Sequence, residues 1–159
     1  MKELVPTGKL RVAIAISPSP SALYAVKDAS TGKFRGVTVD LDTALGKKLG
    51  VPVEFLAHLA SGEIQNSAAS GKWDVTFMPV DDERKQKLDF GAAHIVLQST
   101  WMVGPGSPIR TLADVDRAGT RVVGVENTAS ARAAQRYLKN VTVGLVKSTD
   151  EGFELLRTG

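Results

Sequence analysis

The sequence predicts an α/β fold in two lobes, each a mostly parallel sheet flanked by helices. Three observations carry this. Short β-branched runs alternate with segments of helical periodicity, the pattern of parallel strands covered on both faces. The pattern occurs twice, on either side of a strand-like run at 97–103. Of the 159 residues, 43% are hydrophobic and 23% charged, a globular balance with core enough for one domain or two small lobes.

LRVAIAI (10–16) is β-branched and Ala-rich, as a buried strand requires. SPSPS (17–21) is a loop, because two prolines break any regular element. The stretch 22–39 reads as a hairpin turning at DASTG (28–32). In VDLDTALGKKLG (39–50), Val39, Leu41, Leu45 and Leu49 lie near one helical face and Gly50 supplies the stop. VPVEFLAH (51–58) is the next strand. SGEIQNSAASG (61–71) reads as a short helix capped by Ser61 and ended by Gly71. WDVTFMP (73–79) is a third strand that Pro79 ends, and DDER (81–84) opens a helical turn or two.

HIVLQSTWMV (94–103) is a long strand-like run followed by the loop GPGSP (104–108). Helix, strand, helix, strand and helix then follow at 111–119, 120–126, 128–140, 141–147 and 149–157. The expected division is lobe one at 1–95, a crossover strand and hinge at 96–106, and a partial lobe two at 107–159. A second lobe of roughly 60 residues buries little core alone, and no strand follows its last helix, so the chain looks cut short.

Composition excludes several functions. The net charge of +3 is dispersed, and aromatics make up only 6% and do not interleave with the bases, unlike a nucleic-acid surface. A mild preference for anionic small molecules is all it supports. Without cysteine there are no disulfides, thiolate zinc sites or thiol nucleophiles. His58 and His94 lack companions at metal-ligand spacing, and no phosphate, dinucleotide or nucleophile-elbow motif occurs. No metal or cofactor is expected. Trp73 and Trp101 sit in strand-like runs, where core packing is the ordinary role. The N-terminus has no apolar signal-peptide region, and no run approaches the roughly 18–20 apolar residues of a membrane span. An extracytoplasmic location would require an export signal that this chain lacks.

Two places suggest anion binding. Asp81 is a plausible N-cap, and Asp81–Lys85 and Glu83–Lys87 have favourable i,i+4 spacing, which leaves Arg84 without an assigned partner. Arg84 is either a solvated charge or a bidentate carboxylate ligand. Asn127, Thr128 or Ser130 can cap the helix after 120–126, whose free N–H groups suit either plain capping or an anion. Ser17 and Ser19 lie beyond the carboxyl end of the first strand, where open α/β sheets bind ligands.

The order of elements and several motifs resemble the amino-acid-type periplasmic solute-binding proteins of ABC importers, extracellular family three. The carrying stretches are GKLRVAI (8–14), GKFRGVTVDLDTALGKKLGVPVEF (32–55), SGKWDVTFMPVDDERKQKLDF (70–90) and SPIRTLADVDRAGTRVVGVENTASA (107–131). The resemblance implies a two-lobed, hinged venus-flytrap fold, here with an incomplete second lobe, in the periplasm. It implies the binding component of an importer, closing on an amino acid or related small carboxylate and serving a membrane permease.

By the same resemblance Arg84 pairs with the ligand carboxylate, and Thr76, Phe77 and Met78 hydrogen-bond ligand. Asn127, Thr128 and Ser130 meet the carboxylate from the second lobe, and Ser17 and Ser19 line the cleft. The segment between Asp74 and Arg84 is about two residues shorter than the family pattern by motif spacing. The family's acid for the ligand ammonium falls beyond Gly159. Arg84→Ala is then expected to abolish carboxylate binding and leave the fold intact. The alternatives are a periplasmic dehydratase on the same scaffold, with His94 and Glu126 as its visible acid–base candidates, and a ligand-sensing receptor domain. A homodimer in which each chain covers the other's short lobe is a further expectation.

Overall fold

The computed structural model describes residues 4–16, 21 and 23–159. The loop at 17–20, with Ser17 and Ser19, lies outside the described residues. The chain divides into two compact units, Met1–Asp89 and Phe90–Gly159, each with its own sheet and hydrophobic cluster.

In the first unit β1 (Leu10–Ala15) is the middle of a parallel sheet ordered β4-β1-β5, with β4 Val53–His58 and β5 Val75–Thr76. Leu10 pairs with Val53 and Ala15 with His58, while Val12 pairs with Val75. β1 is apolar almost throughout because it is flanked on both sides and covered on both faces. The chain runs from β1 to β4 on one side and crosses back to β5 on the other. Right-handed crossovers in opposite directions put the two connecting helices on opposite faces.

Ahead of the first helix, β2 (Val26–Lys27) and β3 (Phe34–Arg35) form the short antiparallel hairpin. Asp28 closes its turn by accepting from the hydroxyls and amides of Ser30 and Thr31. The Ser30 hydroxyl foremost, then the Thr31 amide, hold that carboxyl well below the usual carboxylate range. The helix itself, α1 (Val37–Leu49), ends at Gly50, whose φ of 69° is the left-handed cap that glycine adopts without strain.

The buried face of α1 is Thr38, Val39, Asp42 and Gly46, which corrects the stripe expected from sequence. Each helical position turns by about 100°, so Leu41 points well away from Val39 and is 40% exposed. A Cβ on Gly46 would lie 2.2 Å from Val53 Cγ2 and 3.1 Å from the Val51 carbonyl oxygen. The glycine is what lets α1 rest on the start of β4. Gly46→Val is therefore expected to destabilise the chain by about 1–3 kcal/mol through overpacking, measured by urea unfolding; an unchanged midpoint would refute this close approach.

After β4 comes α2 (Ser61–Asn66), followed by a 3-10 turn at Ala68–Ser70 that Gly71 ends. Ala60, not Ser61, is the N-cap. Ser61 sits one residue inside the helix with its hydroxyl bonded elsewhere, and Glu63 reaches back to accept from the Leu59 amide at 2.9 Å. β5 is only two residues long, since it has one neighbouring strand among the described residues and Pro79 lies just ahead. Arg11 of β1 bridges to Asp74, just before β5, through Nε at 3.1 Å and Nη2 at 2.5 Å. Burial raises the Asp74 carboxyl, but the Arg11 side-chain and backbone bonds and its charge outweigh that and hold it low.

The second unit pairs β6 (Val122–Val125) with β7 (Val143–Val146) in parallel. Helix α5 (Ala129–Tyr137) forms the crossover, preceded by α4 (Leu112–Val115) and followed by α6 (Thr149–Thr158). Thr111 and Asp114 make a reciprocal capping box on α4. Val115, Val122, Leu138 and Val143 form the core, with Trp101 and Ile109 packed against it. Asp116 accepts from the Lys139 and Asn140 amides and ties the end of α4 to the loop before β7.

The strand expected at 94–103, and with it the crossover strand at 96–106, does not form. β propensity needs an edge to pair with, and this run has no partner strand among the described residues. Val96 is 90% exposed.

Candidate functional site

The strand order locates the first feature of the site. The chain leaves the central β1 for β4 on one side and then reaches β5 on the other, so the carboxyl ends of β1 and β5 flank a reversal of strand order, the topological switch point where open α/β sheets bind ligands. Thr76 ends β5, and Phe77 and Met78 follow it, all half-buried. The Thr76 hydroxyl donates to the Ala13 carbonyl oxygen at 2.8 Å and so fastens β5 to β1.

Beyond Pro79, the short helix α3 (Asp82–Lys85) starts with Asp81 as its N-cap, accepting from the Arg84 amide at 3.0 Å. Arg84 is completely buried. Its Nε donates to Gln65 Oε1 at 3.0 Å, Nη1 to the Pro79 carbonyl oxygen at 2.8 Å and Nη2 to Ser61 Oγ at 3.0 Å. Asp81 Oδ2 lies 3.8 Å from Nε. Gln65 is itself held, its Nε2 donating to Glu83 Oε1 at 2.6 Å. The arginine that sequence spacing left unassigned is thus bonded to α2, to the β5–α3 link and to its own cap.

In the second unit Thr128 is the N-cap of α5. Its hydroxyl accepts from the Ala131 amide at 3.2 Å and donates to the Val125 carbonyl oxygen at 2.7 Å. Asn127 takes a left-handed φ of 58°, a conformation asparagine tolerates better than most residues. Asn127 and Ser130 are exposed. Gly124 lies against α5, where an added Cβ would meet Ala131 Cβ at 3.0 Å. Glu126 and His94 are exposed. Thr76, Phe77, Met78 and Arg84 therefore gather in the first unit, and Asn127, Thr128 and Ser130 in the second.

Two open grooves lie on the first unit. One of about 510 Å³ is lined by Arg11, Glu54, Leu56, His58, Lys72 and Trp73, among others, and includes none of the residues expected to bind ligand. The second, about 400 Å³, is lined by Gln65, Asn66, Ala68, Ala69 and Lys87 and adjoins the amide that holds Arg84. Among the described residues no cluster of potential ligands could hold a metal ion.

Residues 10–157 match the family model of the bacterial extracellular solute-binding proteins, family 3. The chain belongs to this family. It is 24% identical to a glutamine-binding protein of Geobacillus stearothermophilus over 163 aligned positions, covering all of this chain and 61% of that protein. The family-3 chain thus spans about three-fifths of the length of that curated relative. Among solved structures it is similar to the ancestral amino-acid-binding protein AncCDT-1, a precursor of cyclohexadienyl dehydratase. Identity is 28%, the TM-score is 0.79, and coverage is 99% of this chain and 69% of the other. An ancestral arginine-binding protein bound to glutamine matches at 29% identity with a TM-score of 0.70, over 96% of this chain and 66% of that one. These likenesses give the family-3 chain the α/β fold of the two-lobed periplasmic binding proteins.

Sequence reasoning missed Ser61, Gln65 and Asp81 as partners of Arg84 in this family-3 chain. A signal was available for two of them. Ser61 and Gln65 are four apart and share a helical face, and Gln65 follows Ile64, which is wholly buried. Two polar side chains on the buried side of a helix require an internal partner.

Proposed function

We propose that this chain is the binding component of an ABC importer and takes up an amino acid or a related small carboxylate. The match to the solute-binding family over residues 10–157 carries the reading. The relatives point the same way, one named for glutamine and another solved with it. Thr76, Phe77 and Met78 at the switch point would contact the ligand, with Arg84 as the cation for its carboxylate. Asn127, Thr128 and Ser130 at the start of α5 would supply donors from the other unit, where the helix dipole favours an anion. Ser17 and Ser19, expected from sequence to contact the ligand, lie outside the described residues. Closure would follow from the ligand's higher affinity for the closed state. The protein would act in the periplasm with a membrane permease; among the described residues no helix is long and apolar enough to cross a membrane. No finding supports the homodimer expected from sequence, and it is not part of this proposal.

A thermal-shift screen of the L-amino acids and small carboxylates, followed by calorimetry, tests the reading. A ligand held at 100 times its Kd should stabilise the chain by about 2.7 kcal/mol. A flat response across the screen would reject it. A dehydratase on this scaffold is the second reading, favoured by the likeness to a dehydratase precursor. It would form product from cyclohexadienyl substrates, whereas a receptor returns its ligand unchanged.

A further inference from the structure

Beside Arg84 the structure holds a second buried charge, Asp81, which is 8% exposed while Arg84 is fully buried. The Asp81 carboxylate serves twice: Oδ1 accepts the Arg84 amide at 3.0 Å, and Oδ2 lies 3.8 Å from Arg84 Nε. The other charged residues of the segment, Asp82, Glu83, Lys85 and Lys87, are exposed, two of each sign. Among the described residues of this segment the buried charges are therefore Arg84 and Asp81, of opposite sign. An entering carboxylate would find the guanidinium charge already matched and would approach a fixed like charge a few ångströms away. In a site of low dielectric that repulsion is large, and two carboxylates crowded together cannot both stay ionised without cost.

We propose that Asp81 is the specificity-determining residue of the Arg84 site, weakening any ligand that presents a free carboxylate there relative to one that presents a neutral group. The inference rests on the reading of Arg84 as part of the ligand site. It makes a directional claim that the reading alone does not: removing a protein charge should strengthen binding. Asp81→Asn removes the negative charge, keeps the shape, and leaves a residue equally good as an N-cap. Asp81→Ser, also a cap, is a second variant in case the amide disturbs Arg84.

The test is calorimetry on the full chain and both variants, with L-glutamine and L-arginine as probes and with glutaminamide and argininamide as carboxylate-free counterparts. Expected is a gain of about tenfold or more for the amino acids in the variants, with the amides changed by less than about threefold. Binding that appears only in the variants supports the inference as well. Amino-acid affinity that is unchanged or weaker in both variants overturns it and leaves the proposed function standing. Absence of binding to the chain and to both variants overturns both.

Discussion

Arg84→Ala is expected to destabilise the first unit by about 3–5 kcal/mol, the cost of removing one member of a buried charge pair. The substitution would strand Gln65 Oε1, Ser61 Oγ and the Pro79 carbonyl oxygen, which all accept from this guanidinium. It would also take the guanidinium charge away from the buried Asp81 carboxylate. The desolvation of each acceptor left without a donor is part of that total. Urea unfolding followed by circular dichroism measures the loss, and a change below about 1 kcal/mol would show that these bonds contribute little. This revises the expectation from sequence that the substitution leaves the fold intact. Loss of ligand binding in Arg84→Ala alone would not separate a binding role from a structural one, because the same guanidinium holds the local fold.

Asp42 carries the second large effect, with the opposite sign. It lies on the buried face of α1, 2% exposed, and among the described residues its Oδ2 has no hydrogen-bond partner. Burial pushes its carboxyl up to about 7 from an ordinary 3.8. A carboxyl raised in the folded state binds its proton more tightly there than in the unfolded chain. Its stability contribution is therefore complete below about pH 4 and is lost as pH rises through about 7. Over that window the loss is on the order of 4 kcal/mol, because each tenfold gain in proton affinity on folding is worth about 1.36 kcal/mol.

Asp28, Asp74, Asp114 and Asp116 are held low in the folded state and act in the reverse direction. Subtracting the stability curve of Asp42→Asn from that of the wild type isolates the one group. The asparagine variant should be the more stable of the two at pH 7.5, and the advantage should shrink toward pH 4. A pH-independent difference would show that Asp42 does not titrate in this range.

Much of the fold was legible because its signals are local. The buried run of β1, the Gly50 stop on α1, the Asp81 cap on α3 and the alternation in the second unit all depend on residues within a turn or two of one another. The misreadings share a different cause. The 94–103 run has strand propensity, but a strand exists only where another offers its edge. Leu41 is apolar, but helical phase turns it outward. Ser61 is a good capping residue, but the helix starts one residue earlier and its hydroxyl goes to Arg84.

The candidate site divides in the same way. By itself the sequence determined the family pattern and the order of elements, and so which residues follow β5 and which open α5, because each is a matter of spacing along one chain. Only the tertiary structure decided what Arg84 touches. Gln65 and Ser61 stand 19 and 23 residues before it. They reach it because the crossover through α2 packs against β1 and β4 and brings its polar face to α3, and burial there requires every donor of a guanidinium to find an acceptor within the protein.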